Sequence, residues 1–199
     1  MFFPPGCIID VTAEGIWTSL SGEQKKLRCR EVFEKQLKTV SKHHNDTYTT
    51  DNFFENINRI FHMICTSMKS GGNHYFLIVF DLHKKEILYL DSTSLEKVPV
   101  GYQMYINTGI ELLQYYYAQK YPNQPGINTW PIRLGKDFEC KKQKGSTNCG
   151  VFTMLYADHL LDNLPLHEIS PNDEDMYTYR VKIGTAILNK CLPYGIDTN

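Results

Sequence analysis

A strong charge of either sign is missing from this chain of 199 residues. Its 21 basic side chains meet 22 acidic ones, for a net charge of −1 with the seven histidines neutral. That balance argues against a nucleic-acid grip or a membrane attraction built on net charge. Long apolar runs are absent too, and none approaches the ~20 residues needed to span a bilayer. The start, Met1-Phe2-Phe3-Pro4-Pro5, has neither the charged head nor the apolar core of a secretory signal. No Cys-x-x-Cys pair occurs among Cys7, Cys29, Cys65, Cys140, Cys149 and Cys191, which argues against a structural zinc site. Their wide spacing shows no compact disulfide framework either, so a reducing compartment, cytosol or nucleus, is expected. There is no internal repeat and no low-complexity tract.

What remains is the composition of an ordinary globular protein, 42% hydrophobic and 22% charged. Residues 1–199 are read as a single domain and as a monomer. Cys7 to Val11 suits a short strand, and Trp17 suits a core position. Leu27, Val32, Phe33, Leu37 and Val40 recur at helical spacing over residues 22–40, and a polar loop is expected over 41–48. The His43-His44 pair in that loop lacks a second ligand pair at metal spacing and reads as solvated. Thr50-Asp51 can cap a second helix carrying Phe53, Phe54, Ile57, Ile60 and Phe61 on one face. Ser70-Gly71-Gly72-Asn73 interrupts it.

A hairpin follows. Tyr75 to Phe80 is a continuous apolar strand, as expected of one buried on both faces, and Glu86 to Leu90 is its partner. A turn centred on Leu82-His83 sets His74 directly opposite Asp91, with Cβ atoms ~4.5–5.5 Å apart. Imidazole and carboxylate would then pair at one rim; two polar strand ends in solvent would look the same. Residues 106–121 read as a helix whose tyrosines, Tyr115, Tyr116, Tyr117 and Tyr121, serve packing. A short strand is expected over 130–134, and a helix over 150–164 with Phe152, Leu155, Tyr156 and His159 at helical spacing. His159 reads as a partly buried helix residue without a catalytic part. Ser170-Pro171 suits an N-cap and first-turn proline, with Met176, Tyr179, Ile183 and Ile187 as the apolar face of the last helix.

The loop Gly145-Ser146-Thr147-Asn148 delivers Cys149 to a helix start. There, unsatisfied N–H groups and the helix dipole favour a thiolate. Taken alone, Cys149 also fits a buried cysteine opening a core helix. Its partners point to more. His74 can take its proton and pass it to a leaving amine, and Asp91 can hold the imidazole. The Gln143 side-chain amide and the Cys149 backbone N–H can stabilise an oxyanion, by roughly 3–4 kcal/mol per donor. The implied reaction is acyl transfer to sulfur followed by thioester hydrolysis.

These residues carry a resemblance. His74-Tyr75-Phe76-Leu77-Ile78-Val79, then Tyr89-Leu90-Asp91-Ser92, then Gln143 and Asn148-Cys149-Gly150-Val151-Phe152, look like the SUMO- and ubiquitin-like-protein-specific cysteine proteases. The order His, Asp, Gln, Cys is that family's, and the likeness runs from about Ile57 to Leu188. It implies an α+β fold of the papain-like, adenain-like kind: a central mixed sheet flanked by helices, with the core over 57–190. It also implies a thiol protease cutting after the Gly-Gly-type tail of a SUMO-like modifier, with no metal or cofactor and no nucleic-acid or membrane partner. His74, Asp91, Gln143 and Cys149 would be catalytic; Tyr75, Asn148 and Gly150 would line the substrate.

Two positions depart from the pattern. Tyr75 stands where the family has Trp over the substrate tail, and Asn148 stands where it has Asp. Residues 1–50 match no substrate-binding segment of the family. On the same site, the alternatives are a viral or transposon-type processing protease, a Cys acyltransferase, or a silent modifier-binding module. The acyltransferase would need an acyl-CoA site, and no basic phosphate-binding cluster stands out. With all four catalytic positions filled, the silent module lacks the lost residue that would mark it.

Overall fold

The run Tyr75 to Phe80 sits at the centre of the molecule because both of its faces are covered. The computed structural model describes residues 2–3, 21–44, 53–68 and 72–191. Its elements are β1 (Phe2–Phe3), α1 (Gly22–His44), α2 (Phe53–Asn56), β2 (Arg59–Met68), β3 (Gly72–Asp81) and β4 (Glu86–Leu90). Then come α3 (Gln103–Lys120), β5 (Ile132–Leu134), α4 (Cys149–Asp162) and α5 (Asp173–Cys191). The sheet order is β1-β2-β3-β4-β5, antiparallel through the middle and parallel at both outer pairs. This is the mixed sheet of an α+β fold.

Alternation along the central strands sends neighbouring side chains to opposite layers. Phe76, Ile78 and Phe80, with Ile87 and Tyr89, bury against Phe33 of α1, Phe53 of α2 and Leu112, Leu113 and Tyr116 of α3. Leu77, Val79, Leu88 and Leu90 bury against Phe152, Leu155 and Tyr156 of α4 and Met176 of α5. The tyrosines of α3 are packing residues, as the spacing suggests. Tyr116 stacks on Phe33 at 4.7 Å and donates its hydroxyl to Glu34, while Tyr117 meets Trp130 edge-on at 5.3 Å.

Several expectations are corrected. Phe53 to Phe61 do not share a helix: α2 is one turn, and Ile60 and Phe61 belong to β2, pointing into opposite layers. A strand buried on both faces has no alternation to betray it, so apolar residues gathered from a turn and a strand imitate helical spacing. The glycine-rich break after it joins strands, with Gly72 and Asn73 already paired to Met68 and Ser67. The first helix runs through His44, so residues 41–44, expected in a loop, are helical, and Leu27 is exposed.

At the end of the chain, Asn172 rather than Ser170 opens the last helix, its carbonyl accepting from Met176 N–H at 2.9 Å. The expectations for Cys7–Val11, Trp17 and Thr50-Asp51 lie outside the described residues. No helix among the described residues is long and apolar enough to cross a membrane.

Candidate active site

β3 carries His74 near its start, and Asp91 follows the last residue of β4. The register between the strands pairs Ile78 with Tyr89 and Leu77 with Leu90. The turn is therefore centred one residue later than its sequence suggests, with Lys85 in the left-handed region at φ 55°. Asp91 then stands diagonally from His74, two residues off the direct opposition expected, and still on the same face. The diagonal suffices: His74 Nε2 lies 3.0 Å from Asp91 Oδ1. With Nε2 donating to the carboxylate, Nδ1 is the nitrogen left to act as a base.

Asp91 is buried and held from every side. Oδ1 also accepts from the Thr93 N–H at 2.8 Å and the Thr93 hydroxyl at 2.7 Å, and Oδ2 accepts from the Tyr89 hydroxyl at 2.9 Å. Burial alone would raise its pKa. The bonds from His74 and Thr93 outweigh that and hold it below the ordinary carboxylate value. Tyr89, pushed upward by burial and by this carboxylate, stays a donor. Behind the imidazole, the Tyr102 ring lies nearly parallel to His74 (6.1 Å, 19°) and to Phe76 (5.0 Å, 13°).

Cys149 is the first residue of α4 and is buried. Two tethers bring its loop to the His74–Asp91 rim. The Tyr75 ring packs over Gly150, close enough that a Cβ there would lie 3.6 Å from it. Gln143 donates its backbone N–H to the Ser92 carbonyl at 2.9 Å, and its Oε1 accepts from the Ser92 hydroxyl at 2.6 Å. The residue after His74 thus touches the residue after Cys149, and the residue after Asp91 holds Gln143. Asn148 does not cap α4 with its side chain; it donates to the Lys144 carbonyl at 3.4 Å and accepts from Arg180 of α5 at 2.6 Å.

His159 lies near the far end of α4, with Nδ1 2.9 Å from the Pro165 carbonyl and no part in this arrangement. No group of three His, Cys, Asp or Glu residues suited to a metal occurs among the described residues. Sequence reasoning missed Thr93, Ser92, Tyr102 and Arg180. Thr93 had a local signal, since an aspartate accepting from the N–H two residues on is an Asx turn. Tyr102 and Arg180 arrive from distant segments and had none.

A model of the Ulp1 protease family, C-terminal catalytic domain, matches residues 17–192. Human sentrin-specific protease 2 is 29% identical over 119 residues, covering 60% of this chain and 19% of that protein. The chain therefore spans about a fifth of the length of this curated relative. Among solved structures, the C-terminal Ulp1 protease domain in complex with Smt3, the yeast ortholog of SUMO, superposes with a TM-score of 0.54 at 20% identity. That match covers 82% of this chain and 64% of the other. The SUMO protease Ulp1 with its catalytic cysteine oxidised to a sulfonic acid gives 0.54 at 19% identity, over 94% and 74%. At this identity the likeness is one of fold.

Proposed function

Because the chain belongs to the Ulp1 protease family, we propose that it is a thiol protease cutting after the Gly-Gly-type C-terminus of a ubiquitin-like modifier. The observation that carries this reading is the 3.0 Å His74–Asp91 pair on the rim where Tyr75 meets Gly150, one residue beyond Cys149. Relatives that are SUMO proteases, one of them in complex with Smt3, make a SUMO-like modifier the first choice.

Cys149 Sγ attacks the carbonyl carbon of the terminal glycine. His74 takes the thiol proton at Nδ1 and delivers it to the leaving amine, its Nε2 bonded to Asp91 throughout. Negative charge on the carbonyl oxygen is met by the Cys149 backbone N–H and by the Gln143 amide. One Gln143 N–H is spent on the Gly145 carbonyl at 2.8 Å, and the second serves the oxyanion. Water activated by the same imidazole then hydrolyses the thioester. The Tyr75 ring packs over Gly150 at the start of α4, where, by likeness to the family's aromatic residue after the histidine, it would cover a Gly-Gly tail. A nucleophilic thiol must stay reduced, which suits the cytosol or nucleus.

The test is a panel of ubiquitin-like modifiers carrying C-terminal electrophiles, applied to wild type and Cys149→Ala. A covalent adduct with a SUMO-like modifier, lost in the variant, is the expected result. No adduct with any modifier, while a small thiol electrophile still labels Cys149, would overturn the modifier specificity. No labelling of Cys149 at all would overturn the protease.

A further inference from the structure

The Gln143 side chain presents a problem that its backbone position does not solve. An amide has one accepting end and one donating end of nearly the same shape, and only the donating end helps an oxyanion. Rotation by half a turn would replace an N–H with a carbonyl oxygen at the reacting centre. One neighbour decides the orientation and a second, a hydroxyl able to donate or accept, then holds it. The Gly145 carbonyl can only accept, so it requires the NH₂ group on its side, where Nε2 lies 2.8 Å away. The Ser92 hydroxyl, buried and 2.6 Å from Oε1, donates to the opposite end. In the flipped state two carbonyl oxygens would face each other at Gly145.

Resting on the role given to Gln143 above, we propose that Ser92 is a positioning residue for the oxyanion donor, anchoring the Gln143 amide in the direction that the Gly145 carbonyl sets. The geometry joins the two halves of the site through one residue. Asp91 orients the imidazole, and Ser92, next in the chain, anchors the amide through its hydroxyl and its carbonyl. Without the hydroxyl, Oε1 would be left buried with its donor gone, and the amide would gain by rotating to another arrangement. Ser92 touches no reacting atom; it acts through Gln143.

A double-mutant cycle tests this, with cleavage of a SUMO-like modifier bearing a C-terminal fluorogenic amide as the assay. Ser92→Ala is expected to lower kcat about tenfold with KM little changed, less than the hundredfold or more that loss of an oxyanion donor costs. In a Gln143→Ala background the same substitution should have almost no further effect, since Ser92 then has nothing to anchor. Alkylation of Cys149 by iodoacetamide, which forms no oxyanion, should proceed at the wild-type rate in Ser92→Ala. An equal kcat loss in both backgrounds, or a matching loss of alkylation, would overturn the proposal and mark Ser92 as a support of the site at large. Should Ser92→Ala fail to fold, Ser92→Cys, whose thiol donates weakly, carries the same cycle. A wild-type protein inert toward every modifier would overturn the modifier specificity instead, and one whose Cys149 did not label at all would overturn the protease reading, so these failures are distinct from that of Ser92.

Discussion

Arg180 Nη2 stands 2.6 Å from Asn148 Oδ1 and 3.1 Å from the Thr147 carbonyl, so the last helix grips the two residues before Cys149. A second tie from the same helix region, Lys144 Nζ to Asn172 Oδ1 at 3.0 Å, holds the loop further back. The Arg180–Asn148 bond joins a cation to a neutral amide.

Asn148→Asp turns that bond into an ion pair. Arg180 is exposed but Asn148 is buried, and a carboxylate there loses the donation to the Lys144 carbonyl, so the net gain is at most about 1 kcal/mol and smaller at high salt. Arg180→Ala should cost about as much as a charge-assisted bond is worth, roughly 1–2 kcal/mol. Urea unfolding of the three proteins measures both, and an unchanged midpoint in Arg180→Ala would contradict the pairing.

Asp91→Asn should cut kcat by about 10²–10⁴, because an amide can present an N–H to His74 Nε2 and reverse the tautomer the mechanism needs. Cleavage kinetics of a modifier substrate measure the loss. Retention of more than a tenth of the wild-type kcat would show that the imidazole does not need its carboxylate.

The depressed pKa of Asp91 also shapes acid stability. Unfolded, this carboxylate binds protons near its ordinary value of about 3.9; folded, it binds them only at lower pH. Between those values the unfolded chain holds more protons, so stability rises with pH across that window. The contribution is complete above the unfolded value and is lost as pH falls through the folded one. Asp91→Asn should flatten this part of the stability curve below about pH 4. Parallel curves for the two proteins there would contradict it.

Tyr102→Ala should lower both stability and activity, since it removes the ring against which His74 and Phe76 stack, while Tyr102→Phe should retain both. Loss of a partly buried aromatic of this size costs on the order of 2–3 kcal/mol. Thermal melts and cleavage rates measured together decide it, and an active Tyr102→Ala with an unchanged melting temperature would refute the stack.

Cys29 and Cys140 should resist alkylation in the folded protein at pH 8, because burial pushes each thiol up to about 12. In urea both should label. Mass spectrometry of iodoacetamide-treated peptides reads this out, and labelling of either before unfolding would contradict the burial.

Much of the site was legible in the chain because it is carried by short, contiguous patterns. A cysteine after a Gly-Ser-Thr-Asn loop, an apolar strand opened by a histidine, and a strand closed by an aspartate are local facts, and chain order supplied the rest. The strand parity that puts His74 and Asp91 on one face survives a shift of the turn by one residue, because their positions move from direct to diagonal. Helices with one covered face were equally plain, as at Val32, Phe33 and Leu37. β2 was not. Covered on both sides, it shows no alternation, and its apolar residues merged with those of α2 into a false helix.

What only the tertiary structure decided are the contacts that cross the chain. Ser92 meets Gln143, Tyr75 covers Gly150, Tyr102 backs His74, and Arg180 holds Asn148. Composition and spacing determine which residues could do the chemistry. Which serine, tyrosine or arginine holds them in place depends on packing between segments far apart in sequence, and no local periodicity records it.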